Sequence, residues 1–126
     1  MNTDKVVETV KNMDGFDDVQ FIILYGSQSE SRATEDSDVD ICVGYDGSRD
    51  EASRFRFKVI SKLFDDRYDV HIFKLLPLYV KKEVLKGEVL YRRDKIELYD
   101  IAYQTIKEFD DFKHRYYDYI GKEAIV

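Results

Sequence analysis

Residues 21–45, FIILYGSQSESRATEDSDVDICVGY, constrain this chain more than any other stretch. An apolar run ends at Tyr25, Gly26-Ser27 follows, ten polar or small residues intervene, and Asp38-Val39-Asp40 opens a second apolar run. Runs this short and β-branched predict two strands joined by a polar turn. Gly26 has no Cβ, so the backbone can turn sharply after the first strand and a charged ligand can approach its amide closely. Ser27 adds a hydroxyl donor, and a helix beginning there would favour an anion such as a phosphate at its N-terminus. Asp38 and Asp40 are two residues apart on a strand, so both side chains project from one face. Two adjacent anions repel, and a hard divalent cation such as magnesium, which prefers oxygen ligands, relieves them. Asp-x-Asp alone is common on exposed strand ends, and Gly-Ser alone marks many turns. It is their order, spacing and apolar flanks that point together to nucleotide chemistry.

Gly26-Ser27, the interval and Asp38-Val39-Asp40 resemble the signature of the nucleotidyltransferase superfamily of DNA polymerase β. The chain most resembles the minimal nucleotidyltransferases, small single domains that often serve as antitoxins and work with a HEPN-domain toxin. The common form follows Gly-Ser with x-Ala-Arg-Gly. Here Gln28-Ser29-Glu30-Ser31 stands in that place, with Arg32 close by. The resemblance implies an α/β (α+β) fold, with a small mixed β-sheet, helices packed on one face and a long C-terminal helix. It also implies two Mg2+ ions held by Asp38, Asp40 and a third acid on a later strand, and ATP as the substrate. Gly26 and Ser27 would bind the β and γ phosphates. The AMP group would pass to a tyrosine hydroxyl of the cognate HEPN toxin, so that the chain acts as an antitoxin.

Residues 67–74, RYDVHIFK, alternate as a strand does. If Val70 and Ile72 face the helices, Asp69 and His71 face the other side, as Asp38 and Asp40 do on their own strand. Asp69 is therefore the candidate third acid, its alternative being a solvated residue or a partner for Arg67. His71 carries no assigned chemistry, because most lone histidines are hydrogen-bonded or exposed.

At 126 residues the chain fits one domain, expected to span residues 1–126 with a core that needs no staples. The single cysteine, Cys42, cannot form an intrachain disulfide, and no charged-then-apolar leader opens the sequence, so a cytoplasmic location is expected. No apolar run approaches the roughly 20 residues needed to span a bilayer. With a formal net charge of -6, binding to a long nucleic acid begins against general repulsion. A nucleoside triphosphate carried with its metal, or a protein partner with a basic face, fits better. Lys81, Lys82, Arg92 and Arg93 could form a local basic patch, although such runs are more often solvated surface.

Several helices are legible around this centre. Val6, Val7, Val10 and Met13 recur at helical spacing before Gly15, and Ser48 with Glu51 forms a candidate capping box ahead of Ala52, Phe55, Val59, Ile60 and Leu63. Pro77 and Gly87 bracket a short helix, and a brief strand over 88–91 follows. From Asp94 to Ile120 there is neither proline nor glycine, and Ile96, Tyr99, Tyr103, Ile106, Phe109, Phe112 and Tyr116 recur every three or four residues. These aromatics read first as core, and second as an interface with a partner or another copy.

Two other functions compete. The same site could act on a small hydroxylated molecule, as aminoglycoside nucleotidyltransferases do, but those usually carry a further domain. Alternatively the chain could be a noncatalytic antitoxin that blocks its partner by occlusion. Three converging acids weigh against that, since a pure binding module has no chemical need for them.

Overall fold

The structure, a computed structural model, describes residues 3–26 and 38–125, with side-chain surroundings as far as residue 117. Ser27 lies outside the described residues, together with Glu30, Arg32 and any helix that begins at Ser27. The elements are α1 (Thr3–Lys11), β1 (Val19–Tyr25), β2 (Val39–Tyr45), α2 (Arg49–Leu63), β3 (Tyr68–Ile72), α3 (Leu78–Val84), β4 (Glu88–Arg92) and α4 (Lys95–Ile125). The strands form one mixed sheet in the order β3-β2-β1-β4. β1 runs antiparallel to both β2 and β4, whereas β2 and β3 are parallel and joined by the α2 crossover.

Alternation along the strands sorts their side chains onto two faces. Val39, Ile41, Val43, Val70 and Ile72 meet Val6 and Val10 of α1 and Ala52, Phe55, Val59 and Leu63 of α2 in the larger core. A register shift between Val19 and Phe21 lets Val19 and Ile22, three apart, both enter this core. The start of α2 is fixed by the expected capping box. The Ser48 hydroxyl accepts from the Glu51 amide at 3.1 Å, and the Ser48 amide donates to the Glu51 carboxylate at 3.1 Å. Phe55 is buried, whereas Phe57 points to solvent.

Helices cover more than the single face expected. On the opposite face Phe21, Ile23, Cys42 and Phe73 pack with Val84 of α3 and Leu98 of α4, with Val80 and Ile101 against them. The physical reason lies in the strands: β1 and β2 carry apolar side chains on both faces, and a second layer is required to bury them. Gly44 keeps this layer tight, since a Cβ there would lie deep inside contact distance of the Phe21 ring beside it.

α4 is longer than expected, continuing through Gly121 to Ile125, about 46 Å at 1.5 Å per residue. Its start is anchored by Arg93, which bonds the Glu97 carboxylate at 2.6 and 2.9 Å, Asp46 at 3.1 Å and the Asp17 carbonyl at 2.6 Å. Of the four basic residues considered as a patch, Arg93 is held in this network, Lys81 lies over the Phe73 ring and Lys82 over Phe109. The aromatic stripe is also corrected. Leu98 and Thr105 are the buried residues of the helix as far as residue 117, whereas Ile96, Tyr99, Tyr103 and Ile106 are exposed. Among the described residues no helix is long and apolar enough to cross a membrane.

Because Gly44 faces the Phe21 ring across the sheet, Gly44→Ala is expected to lower unfolding stability by about 1–3 kcal/mol through overpacking. Urea denaturation of the variant beside wild type measures it.

Candidate active site

Among the described residues, α3 and α4 cover part of the second face of the sheet. Under them it is apolar, and beyond them it carries the candidate acids. Asp38 immediately precedes β2, Asp40 is the second residue of β2, and Asp69 is the second residue of β3. In the parallel ladder Asp40 and Asp69 are direct partners, as are Cys42 and His71. The Val39 amide donates to the Arg67 carbonyl at 2.6 Å and closes the ladder just ahead of the acids. Across the other edge of β2, Tyr25 of β1 is the antiparallel partner of Asp40. Directly paired residues point to one side, so Tyr25, Asp40 and Asp69 form a row across three strands.

Gly26 closes this row from the β1 side. It has φ of 76°, in the left-handed region that disfavours side chains, and a Cβ there would collide with the Asp40 carboxylate. The glycine thus has two roles in shape: it allows the turn after β1, and it leaves room for the acid.

The electrostatics are those of an undercompensated carboxylate cluster. Burial raises the Asp40 pKa first, with Asp69 adding to the rise, His71 opposing it and Asp38 contributing further. Burial also pushes the Tyr25 phenol up, followed by Cys42, Asp40 and Asp69. Cys42 lies deeper on the same face, its thiol held protonated by burial despite Lys81 nearby. Asp69 is half-exposed, and its Oδ2 lies 3.0 Å from His71 Nε2. It is not the partner of Arg67, which pairs with Asp65 at 2.8 Å.

The donor set suits a hard divalent cation, because the groups are carboxylate oxygens whose mutual repulsion already disfavours ionisation of Asp40. Among the described residues no three His, Cys, Asp or Glu side chains are already grouped tightly enough to hold an ion.

Of the site residues expected from sequence, Asp40 and Asp69 are brought together, Asp38 joins them electrostatically, Gly26 abuts Asp40 and Ser27 lies outside the described residues. The sequence reading places His71 on this face without assigned chemistry and does not single out Tyr25, which the structure sets beside Asp40.

Residues 4–96 match the model of the polymerase beta nucleotidyltransferase family. A relative from Methanocaldococcus jannaschii, provisionally named a protein adenylyltransferase, is 36% identical over 95 residues, covering 75% of this chain and 72% of that one. Among solved structures, a toxin-antitoxin with AMP-PNP has a TM-score of 0.75 at 20% identity, with both chains covered completely. A tri-AMPylated Shewanella oneidensis HEPN toxin in complex with MNT antitoxin gives a TM-score of 0.67 at 19% identity, again over both whole chains. At those identities the two structures speak to the fold alone. With the family match spanning most of the chain and the acids paired across parallel strands, the chain belongs to the polymerase β nucleotidyltransferase family.

Proposed function

We propose that this chain is a Mg2+-dependent protein adenylyltransferase that moves AMP from ATP to a tyrosine hydroxyl of a cognate HEPN toxin, and so acts as an antitoxin of the cytoplasm. The observation that carries the chemistry is the lateral pairing of Asp40 with Asp69, with Gly26 packed against Asp40. A protein acceptor and a HEPN partner are supported by a relative named for protein adenylylation and by a similar structure of an MNT antitoxin in complex with an AMPylated HEPN toxin. Residues 1–126 would form one catalytic domain.

In this reading Asp38, Asp40 and Asp69 would hold two Mg2+ ions, whose chemistry when bound would be to lower the acceptor's pKa and offset charge on the departing pyrophosphate. Gly26 and Ser27 orient the β and γ phosphates through amide and hydroxyl donors. The acceptor oxygen forms a bond to the α phosphorus as the bond to the bridging oxygen breaks, pyrophosphate leaves, and the phenolic proton passes to Asp69. His71 steadies the Asp69 carboxylate from behind before substrate binds.

The test is transfer of label from ATP labelled at the α phosphate to a protein in host lysate. A labelled band seen with wild type and absent with Asp40→Asn supports the proposal. Equal labelling by both proteins overturns it, and label on a small molecule moves the acceptor to the alternative class.

Two outcomes follow for variants. Asp40→Asn is expected to lose at least about 100-fold in transfer while its metal-free Tm rises, because a partly buried anion with two anionic neighbours is neutralised. A raised folded-state pKa means that wild type is fully stabilised when Asp40 is protonated and loses that stability as pH rises through the folded pKa. The Tm difference is therefore present at neutral pH and closes as pH falls below the carboxylate range, which paired thermal melts check. Gly26→Ala is expected to lower transfer about 100-fold by displacing Asp40 and straining the turn. Label transfer, with circular dichroism as the fold control, measures that loss.

A further inference from the structure

α4 carries two apolar stripes, and the fold uses only one. Leu98 and Ile101 pack in the smaller core, Thr105 is buried, and Phe109 lies under the Lys82 ammonium at 4.1 Å. Ile96, Tyr99, Tyr103 and Ile106 occupy a different side of the helix and are 70%, 59%, 64% and 46% exposed. Their spacing of three, four and three is the rhythm of a helix–helix seam. The same rhythm carried forward meets Asp110, Lys113 and Tyr117, all exposed. Beyond the domain the seam is thus continuous, with one acid and one base set into an otherwise apolar and aromatic row.

We propose that this seam pairs two copies of the chain in antiparallel fashion, about a two-fold axis passing between Asp110 and Lys113. In a two-fold interface residue i meets residue j and j meets i. An axis at that point sets Asp110 of each copy against Lys113 of the other, and Ile106 of each against Tyr117 of the other. Each copy's Tyr103 and Tyr99 then lie over the last turns of the other helix. A parallel pairing would instead oppose Asp110 to Asp110 and Lys113 to Lys113, which like-charge repulsion disfavours. Neither Asp110 nor Lys113 forms an ion pair among the described residues. Lys113 only lies over the Tyr117 ring, 6.0 Å from its centre. The self-complementary order of charge along the seam is what selects a second copy over an unrelated helix. This surface is separate from the carboxylate row, and the proposal stands without the catalytic reading.

Sedimentation equilibrium on the full chain across the micromolar range tests it. Wild type is expected to show a concentration-dependent dimer. Asp110→Lys and Lys113→Asp, each exposed and so compatible with folding, are expected to weaken dimerisation at least about tenfold, because each sets like charges against each other twice. Mixing those two variants restores opposite charges at both contacts, so an equimolar mixture is expected to dimerise while each alone does not. The double swap, Asp110→Lys with Lys113→Asp, is expected to dimerise like wild type. A wild type that stays monomeric throughout overturns the proposal, as does a dimer indifferent to Asp110→Lys and to Lys113→Asp. Monomeric wild type that binds a different purified protein through Tyr99, Tyr103 and Ile106 overturns it in favour of a heterologous helix.

Discussion

The parallel pairing of β2 with β3 is the contact on which the rest of the structure depends. It sets two carboxylates side by side on the same face, where burial first and then the charge of Asp69 make the Asp40 charge harder to hold. Every nearby feature answers to that juxtaposition. The Val39–Arg67 backbone bond fixes the ladder just ahead of it, Gly26 leaves space for Asp40, His71 engages Asp69, and apolar side chains of the same face bury the strands beneath. A site tuned for stability alone would not gather these charges. Such local conflict is expected where function is carried, and the sheet's two cores supply the stability that tolerates it.

Among the described residues, the two-sided packing also divides the second face of the sheet. α1 and α2 cover one face of the sheet, while α3 and the first turns of α4 cover only part of the other. Cys42 and Phe73 lie in the covered part, whereas Asp69 remains half-exposed. Polar chemistry and apolar burial thus share one sheet face, divided along the strand direction. A change of a single residue in register would exchange the two faces and bury the acids.

Much of this was legible in sequence because strand alternation is a strict rule. Once Val39, Ile41, Val43, Val70 and Ile72 are assigned to the core, Asp40 and Asp69 have no other side to occupy. The capping box at Ser48 was equally readable, being a local bond between near neighbours. The second helical layer was not, since periodicity tells which side of a strand is apolar but not what covers it. The long helix failed for a related reason. Residues every three or four places look like one stripe, yet small drifts in spacing split them between two sides, and only the packed structure shows that Leu98 and Thr105, not Tyr99 and Tyr103, are the buried ones. Tyr25 gains meaning only from Asp40 across the sheet, which sequence distance hides, whereas His71 shares its strand and face with Asp69 and its contact shows only in the structure.

The connection between β2 and β3 has a consequence for how the protein comes into being. β1 and β2 can pair as neighbours in sequence, but the parallel partner arrives only after the whole of α2 has been made and laid across the sheet. Asp40 and Asp69 therefore meet late in folding, because non-local parallel pairing bears the cost of closing its loop before it gains any contact. A chain still emerging from the ribosome, with β3 unmade, has its Gly26 turn and its Asp38-Val39-Asp40 strand but no completed row of acids. Assembly of the carboxylate row is thereby tied to the closing of the crossover, so the site matures with the fold and not before it.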